Sequence, residues 1–195
     1  MALITNAIKG TLDLLPAESY KTQYVEAAVR EIAENFGFYE MRTPVFEHTE
    51  LFQRSVGETT DVVQKEMYTF SDKGGRSITL RPEGTAGAAR AFLENGLFNA
   101  PLPQKIYYLT SCYRYEKPQA GRLREFHQFG VEAFGAGAPA QDAEIIALAH
   151  TVFQYLGVKN LTLEINSIGC PECRQGFQKA LKAYFEGYKD KLCDT

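Results

Sequence analysis

The sequence predicts an α+β fold in which an antiparallel sheet is flanked by helices, and three observations predict it. Two alternating runs lie either side of Lys117-Pro118-Gln119-Ala120-Gly121, whose turn residues fold them into a hairpin. A second hairpin signal places Met67-Tyr68-Thr69-Phe70 and Ser77-Ile78-Thr79-Leu80 around Asp72-Lys73-Gly74-Gly75. Two amphipathic stretches, before Gly37 and before Gly157, carry apolar residues at three- and four-residue steps and end at a glycine.

In chain order, the first helix runs from Ser19 to Asn35, with Tyr20, Tyr24, Ala27, Ala28, Ile32 and Phe36 on one stripe. A strand from Tyr39 to Arg42 follows. It ends at Thr43-Pro44, because proline has no N–H to give a ladder and belongs at a strand end or sheet edge. After the hairpin at residues 67–80, Arg81-Pro82-Glu83-Gly84-Thr85 leads into a helix through Ala86, Ala89, Phe92 and Leu93. The long hairpin spans Thr110 to Glu132. Gly135-Ala136-Gly137-Ala138-Pro139-Ala140 then connects, without core-forming side chains, to a helix from Asp142 to Leu156 that turns Ile145, Ile146, Ala149, Val152, Phe153 and Leu156 inward. Leu161 to Ile165 alternates as a strand, and Glu172 to Lys191 reads as a helix with Phe177, Leu181, Tyr184, Phe185 and Tyr188 on its apolar side. No internal repeat is present.

With 195 residues, 45% of them hydrophobic, the chain can bury one sizeable core. Its net charge of −3 excludes the broad basic footprint of a protein that coats nucleic acid nonspecifically. No apolar run reaches the roughly 18 residues of a membrane span, and Met1 to Asn6 has neither the basic start nor the hydrophobic run of a signal peptide, so a cytoplasmic location is expected. The four cysteines are then expected to be reduced thiols. Cys170, Cys173 and Cys193 supply three of the four ligands of a structural zinc pattern, and their spacing leaves both readings open, zinc or the commoner free thiols.

Strand alternation puts Arg124, Phe126, Gln128 and Glu132 on one face of the long hairpin and His127, Phe129, Val131 and Ala133 on the other. Arg114 and Glu116 share a face of the preceding strand, so both polar stripes can line one floor. Arginines, carboxylates, an amide and a stackable ring suit a ligand with phosphate, a flat base and an ammonium, which describes a nucleotide together with an amino acid. A solvated sheet face is the commoner cause of such alternation. Glu83 by itself is a favourable helix-start acid, worth about 0.3 to 1 kcal/mol.

The wording of the segment from Arg114 to Glu132, R-Y-E-K-P-Q-A-G-R-L-R-E-F-H-Q-F-G-V-E, resembles the second signature motif of class II aminoacyl-tRNA synthetases in the form found in histidyl-tRNA synthetases. Gly10-Thr11-Leu12-Asp13-Leu14-Leu15-Pro16 resembles the N-terminal element of that family. Phe36 to Pro44 is similar to the first class II motif, and Arg81 to Thr85 to the amino-acid-binding loop; Ile165 to Cys170 extends the likeness more weakly.

The resemblance implies a truncated class II catalytic fold, with residues 1–135 as the core carrying the first two motifs and residues 136–195 as its continuation. It implies ATP-dependent activation of L-histidine to histidyl-adenylate and transfer to tRNA(His), with Mg²⁺ bridging the phosphates. Arg114 would hold the substrate carboxylate and an α-phosphate oxygen, Phe126 would stack on adenine, Glu116 would accept from the adenine amino group, and Arg122 would reach the outer phosphates. Glu83 and Thr85 would grip the α-ammonium with help from Gln128, and Glu132 would accept from an imidazole N–H. A homodimer would form through the helix and strand that end at Pro44. The third class II motif, the histidine-specific loop and the anticodon-binding domain do not occur in these 195 residues. A piece from the N-terminal part of the catalytic domain, inactive alone and prone to self-association through an incomplete sheet, is therefore expected. Two other readings are a synthetase-like regulatory subunit of ATP phosphoribosyltransferase and a noncatalytic dimerisation module; the intact Glu83, Thr85, Arg114, Gln128 and Glu132 favour the synthetase.

Overall fold

The computed structural model describes residues 4–56, 66–166 and 169–191. Its elements are α1 (Pro16–Asn35), β1 (Tyr39–Glu40), β2 (Phe46–His48), α2 (Thr49–Val56), β3 (Thr69–Ser71), β4 (Ser77–Leu80), α3 (Thr85–Glu94), β5 (Gln104–Tyr113), β6 (Glu125–Phe134), α4 (Pro139–Tyr155) and α5 (Pro171–Glu186). Two compact units run Met1–Lys159 and Asn160–Thr195.

Helix α1 starts with Pro16 in its first turn, where a missing N–H removes no intrahelical bond. It ends as Gly37 adopts φ +78° and Phe38 N–H returns to the Ala33 carbonyl at 2.9 Å. The buried stripe is Ala28, Val29, Ile32 and Ala33. Tyr20 and Tyr24, expected inward, are 60% and 57% exposed, because only the last two turns of the helix pack on the core of Phe38, Tyr107, Leu148 and Val152.

The principal sheet has the order β1-β5-β6. It is mixed rather than wholly antiparallel: β1 runs parallel to β5, with Tyr39 opposite Ile106 and Glu40 opposite Tyr107. The ladder stops at Glu40, two residues before the expected Arg42, although Met41 N–H still reaches the Tyr107 carbonyl at 2.8 Å. The expected long hairpin is present as β5 and β6, antiparallel from Gln104 opposite Phe134 to Tyr113 opposite Glu125. Its first strand starts earlier than the motif suggested and ends before Arg114.

The smaller sheet, β2-β4-β3, contains the second predicted hairpin. Asp72 builds its turn by accepting from the N–H groups of Gly74 (2.8 Å) and Arg76 (2.9 Å), and Gly75 takes φ +78°.

Alternation divides the hairpin as anticipated. Tyr107, Leu109, Phe129 and Val131 pack with α1 and α4, while Ile106, Tyr108 and Phe134 lie with Ala88 of α3 and Met41. Two helices differ from expectation in phase. In α3, Leu93 is 63% exposed and the inward residues are Ala86, Gly87, Ala88, Ala91 and Phe92. Helix α4 starts earlier, at Pro139, and buries Leu148 and Val152 while Ala149 and Phe153 face outward. Leu148 inserts beside Tyr107 and Phe38, and that contact sets the rotation.

In the second unit, Leu161 to Ile165 forms no ladder among the described residues, and its three apolar side chains are exposed. Alternation alone cannot make a strand where no neighbour supplies hydrogen bonds. Helix α5 ends at Glu186, short of the expected Lys191, and leaves Phe177, Tyr184 and Phe185 exposed.

Candidate functional site

The site lies on the α3 side of the hairpin and begins with one ring. Tyr108 stands opposite Gly130 in the β5–β6 register, and a Cβ on Gly130 would lie 2.3 Å from the tyrosine's Cζ. Across the ring, a Cβ on Gly84 of the Arg-Pro-Glu-Gly-Thr loop would lie 2.2 Å from Cε2. Two glycines far apart in sequence thus make the slot that the ring fills. Its hydroxyl donates to Glu132 Oε1 (3.2 Å) and lies 3.3 Å from Thr85 Oγ1, and since its one proton goes to the carboxylate, Thr85 is the donor in the second bond. Burial, first, and the neighbouring Glu132 carboxylate push the phenol well above its ordinary range, so it remains a proton donor.

The loop is fixed from two sides. Gln128 Oε1 accepts from Gly84 N–H at 2.9 Å and from the Cys112 thiol at 3.5 Å. Both lone pairs of Oε1 are engaged, which leaves Gln128 only amide N–H donors, so the help expected from it toward an α-ammonium, itself a donor, does not fit this geometry. Burial pushes the Cys112 thiol up to about 11, which keeps it neutral. Glu83 caps α3: Oε2 accepts from Thr85 N–H (2.6 Å) and Oε1 from Ala86 N–H (2.8 Å), leaving one lone-pair direction on each oxygen. Arg81, which sequence reading passed over, donates Nε–H to the Ser111 carbonyl (2.7 Å) and Nη1–H to the carbonyls of Thr43 (2.9 Å) and Pro44 (3.1 Å). It joins the first-motif segment, the loop and β5.

Beyond the end of β5, Arg114 donates Nε–H to the Pro82 carbonyl at 2.9 Å, which aims the rest of its fork. Its guanidinium carbon sits 5.2 Å from the centroid of the Phe126 ring. Glu116 is buried, in contact with Arg122 and 3.9 Å from Arg114 Nη1, so it holds the two arginines as well as facing the floor. Arg114, Glu116, Gly121, Arg122, Leu123, Phe126 and His127 line a cavity of about 400 Å³. That volume lies in the range of small-molecule sites. His127, assigned to the opposite face by alternation, reaches the rim where β6 begins.

Arg124 does not extend the floor. It stands before β6, stacks 4.0 Å from the Tyr115 centroid, donates Nε–H to the Glu116 carbonyl and gives its own N–H to Gly10 O at 2.7 Å. Gly10, at φ +93°, approaches so closely that a Cβ would meet Arg124 Cγ at 2.8 Å. The N-terminal element therefore clamps the motif hairpin. In the second unit Cys170 and Cys173 approach with Sγ atoms 3.2 Å apart, while Cys193 lies outside the described residues.

A two-strand floor with Arg114, Phe126, Gln128 and Glu132, met from one side by an Arg-Pro-Glu-Gly-Thr loop, is the arrangement of a class II aminoacyl-tRNA synthetase core. The family model described as "Histidyl-tRNA synthetase" matches residues 10–172. Curated proteins named histidine–tRNA ligase are 59% identical over 99% of the chain in Alkaliphilus oremlandii and 61% identical over 97% in Caldicellulosiruptor saccharolyticus. Among solved structures, the apo histidyl-tRNA synthetase of S. aureus superposes with a TM-score of 0.76 at 40% identity, covering 97% of this chain and 44% of that one. A Bacillus halodurans protein titled as an ATP phosphoribosyltransferase regulatory subunit/histidyl-tRNA synthetase gives 0.69 at 25% identity, covering 82% of this chain and 40% of that one. The chain belongs to the histidyl-tRNA synthetase family. It spans less than half the length of those curated relatives, 46% and 45%.

Proposed function

We propose that this chain carries the ATP and amino-acid floor of a histidine–tRNA ligase, which activates L-histidine and transfers it to tRNA(His). The observation that carries this reading is the Thr85–Tyr108–Glu132 hydrogen-bond chain. It fixes two acceptors for an amino-acid substrate beside the cavity lined by Arg114 and Phe126. Glu83 and Thr85 take the α-ammonium through their remaining lone pairs. Glu132 accepts from the imidazole N–H, and a side chain without that donor would leave a half-buried carboxylate unpaired.

In the activation step a substrate carboxylate oxygen forms a bond to the α-phosphorus of ATP, and the bond from that phosphorus to the bridging oxygen breaks, releasing diphosphate. The carboxylate is already ionised, so no base is required; positioning and charge neutralisation carry the rate. Arg114 bridges the carboxylate and an α-phosphate oxygen with its Nη groups, Phe126 stacks on the adenine, Glu116 accepts from its amino group or holds the arginines in place, and Arg122 faces the outer phosphates. Mg²⁺ accompanies ATP in this reading, held chiefly by phosphate oxygens. The described residues gather no group of three His, Cys, Asp or Glu side chains for a metal, and no step here passes through one. Among them, no helix is long and apolar enough to cross a membrane. A cytoplasmic homodimer, joined through α1 and the segment to Pro44, completes the proposal.

The test is thermal stability with a nonhydrolysable histidyl-adenylate analogue, set against prolyl and alanyl versions. At 100 times the dissociation constant a ligand stabilises by about 2.7 kcal/mol, roughly 5 to 10 °C for a chain of this size. A shift with the histidyl analogue alone is expected. Equal shifts with all three refute the role of Glu132, and no shift with any refutes binding by this chain.

A further inference from the structure

The site above leaves one reactive cluster unused. Cys170 is the N-cap of α5 and Cys173 stands one turn on; both are exposed, and their Sγ atoms are 3.2 Å apart with no bond between them. Cys170 Sγ accepts the backbone N–H of Cys173 at 3.4 Å, and Pro171 occupies the first helical position. Gly169, at φ +73°, packs close to Cys173: a Cβ there would lie 3.4 Å from the Cys173 Cβ.

We infer that Cys170 and Cys173 form a thiol–disulfide exchange site, with Cys170 as the attacking thiolate and Cys173 as the resolving thiol, whose substrate class is the low-molecular-weight disulfide. Two features assign the order, and a third lets the pair close. An N-cap sulfur faces the orphan N–H groups of a 16-residue helix, where an anion is favoured. The Cys173 backbone N–H donates to Cys170 Sγ at 3.4 Å, a bond that favours the anion on that sulfur rather than on Cys173. The gap between the sulfurs closes to a bond of about 2.05 Å by side-chain rotation within one helical turn. By contrast Cys112 is buried, engaged with Gln128 and raised in pKa, so it stays out of the exchange.

The chemistry balances without a further reactant. The Cys170 thiolate attacks one sulfur of the disulfide RSSR, its S–S bond breaks, and RS⁻ leaves. Cys173, losing its proton to solvent, then attacks the Cys170 sulfur of the mixed disulfide and expels a second RS⁻. The pair is oxidised by two electrons and RSSR is reduced to two thiols. In the product Cys170 is no longer an anionic cap, so oxidation weakens the start of α5.

The experiment uses the whole chain with Cys193→Ser, reduced and stripped of metal, then exposed to oxidised glutathione at neutral pH, alkylated and digested with trypsin. Both cysteines fall in the single peptide from Asn160 to Arg174. That peptide should lose two hydrogens and carry neither glutathione nor alkyl group. Cys173→Ser should accumulate glutathione on Cys170. Cys170→Ser, which keeps a good N-cap oxygen, should react about tenfold more slowly. Full alkylation after oxidation, an adduct that never cyclises, or equal rates for the two serine variants would overturn the assignment. So would one zinc ion held by the reduced chain with all its cysteines present, accompanied by protection of both thiols, because the pair would then be metal ligands.

Discussion

Replacing Tyr108 by phenylalanine removes one oxygen and keeps the ring in its slot between Gly84 and Gly130. Two bonds are lost, at 3.2 Å to Glu132 and 3.3 Å from Thr85, both long beside the usual O–H···O distance of about 2.7 to 2.8 Å. Thr85 is exposed, so water can replace its partner. Glu132 is half-buried and loses a donor to a charged acceptor, a loss of about 1.5 to 3 kcal/mol, of which the length of the bond selects the lower end. A cost of about 1.5 kcal/mol corresponds to a fall in Tm of roughly 3 to 6 °C. Tyr108→Ala also empties the slot and should cost about 3 to 5 kcal/mol, as other aromatic deletions do. Urea and thermal unfolding of the three proteins measure both differences. If the phenylalanine variant is as stable as the parent, the hydroxyl does not tie the loop to β6; if it matches the alanine variant, the hydroxyl rather than the ring fills the structural role. On the proposed function, the same variant should bind the histidyl-adenylate analogue about tenfold more weakly, a loss of about 1.4 kcal/mol.

Gly130→Ala should destabilise by about 1 to 3 kcal/mol through overpacking against the tyrosine ring, and the penalty should disappear in a Tyr108→Leu background, read as a coupling energy in a double-mutant cycle. Glu83→Ala removes the carboxylate that accepts from Thr85 and Ala86 N–H. It should lower the urea midpoint by the equivalent of about 1 kcal/mol at unchanged m-value, with Glu83→Gln intermediate. Hydrogen bonds from Lys105 to Glu144 and from Arg42 and Arg30 to Glu40 hold both carboxyls below their ordinary range. A lowered folded-state pKa gives stability that is present above the unfolded value and is lost as pH falls through the folded one. Tm should therefore be flat above about pH 5 and fall below about pH 4.3, and Lys105→Met should make the acid limb shallower.

Much of this fold is legible because period-two alternation and turn chemistry act locally. Asp72 with Gly74 and Gly75 specifies its hairpin by bonds within five residues, and Phe129 and Val131 against Gln128 and Glu132 divide the β6 faces correctly. Helix phase was less legible. Tyr20 and Tyr24 continue the stripe of Ala28 and Ile32, but the stripe extends past the core it packs on. In α4 the difference between Leu148 inward and Phe153 outward is one of rotation, fixed by Phe38 and Tyr107 from distant positions. The parallel pairing of β1 with β5 joins residues more than sixty positions apart and leaves no local mark.

The candidate site divides in the same way. Glu83, Thr85, Arg114, Phe126, Gln128 and Glu132 stand out by residue type, whereas Tyr108 reads as one more strand aromatic in Ile106-Tyr107-Tyr108-Leu109. Its importance depends on two glycines, at positions 84 and 130, that are brought to opposite sides of one ring only by the β5–β6 register and the loop before α3. Either glycine alone suggests a turn or a weak strand position. Together they seat the ring so that one hydroxyl contacts both Thr85 and Glu132, the residues that on the proposed function grip the amino acid and read its side chain. A substitution at Gly84 or Gly130 should therefore disturb both ends of the proposed amino-acid subsite at once, even though neither glycine offers a ligand any side chain.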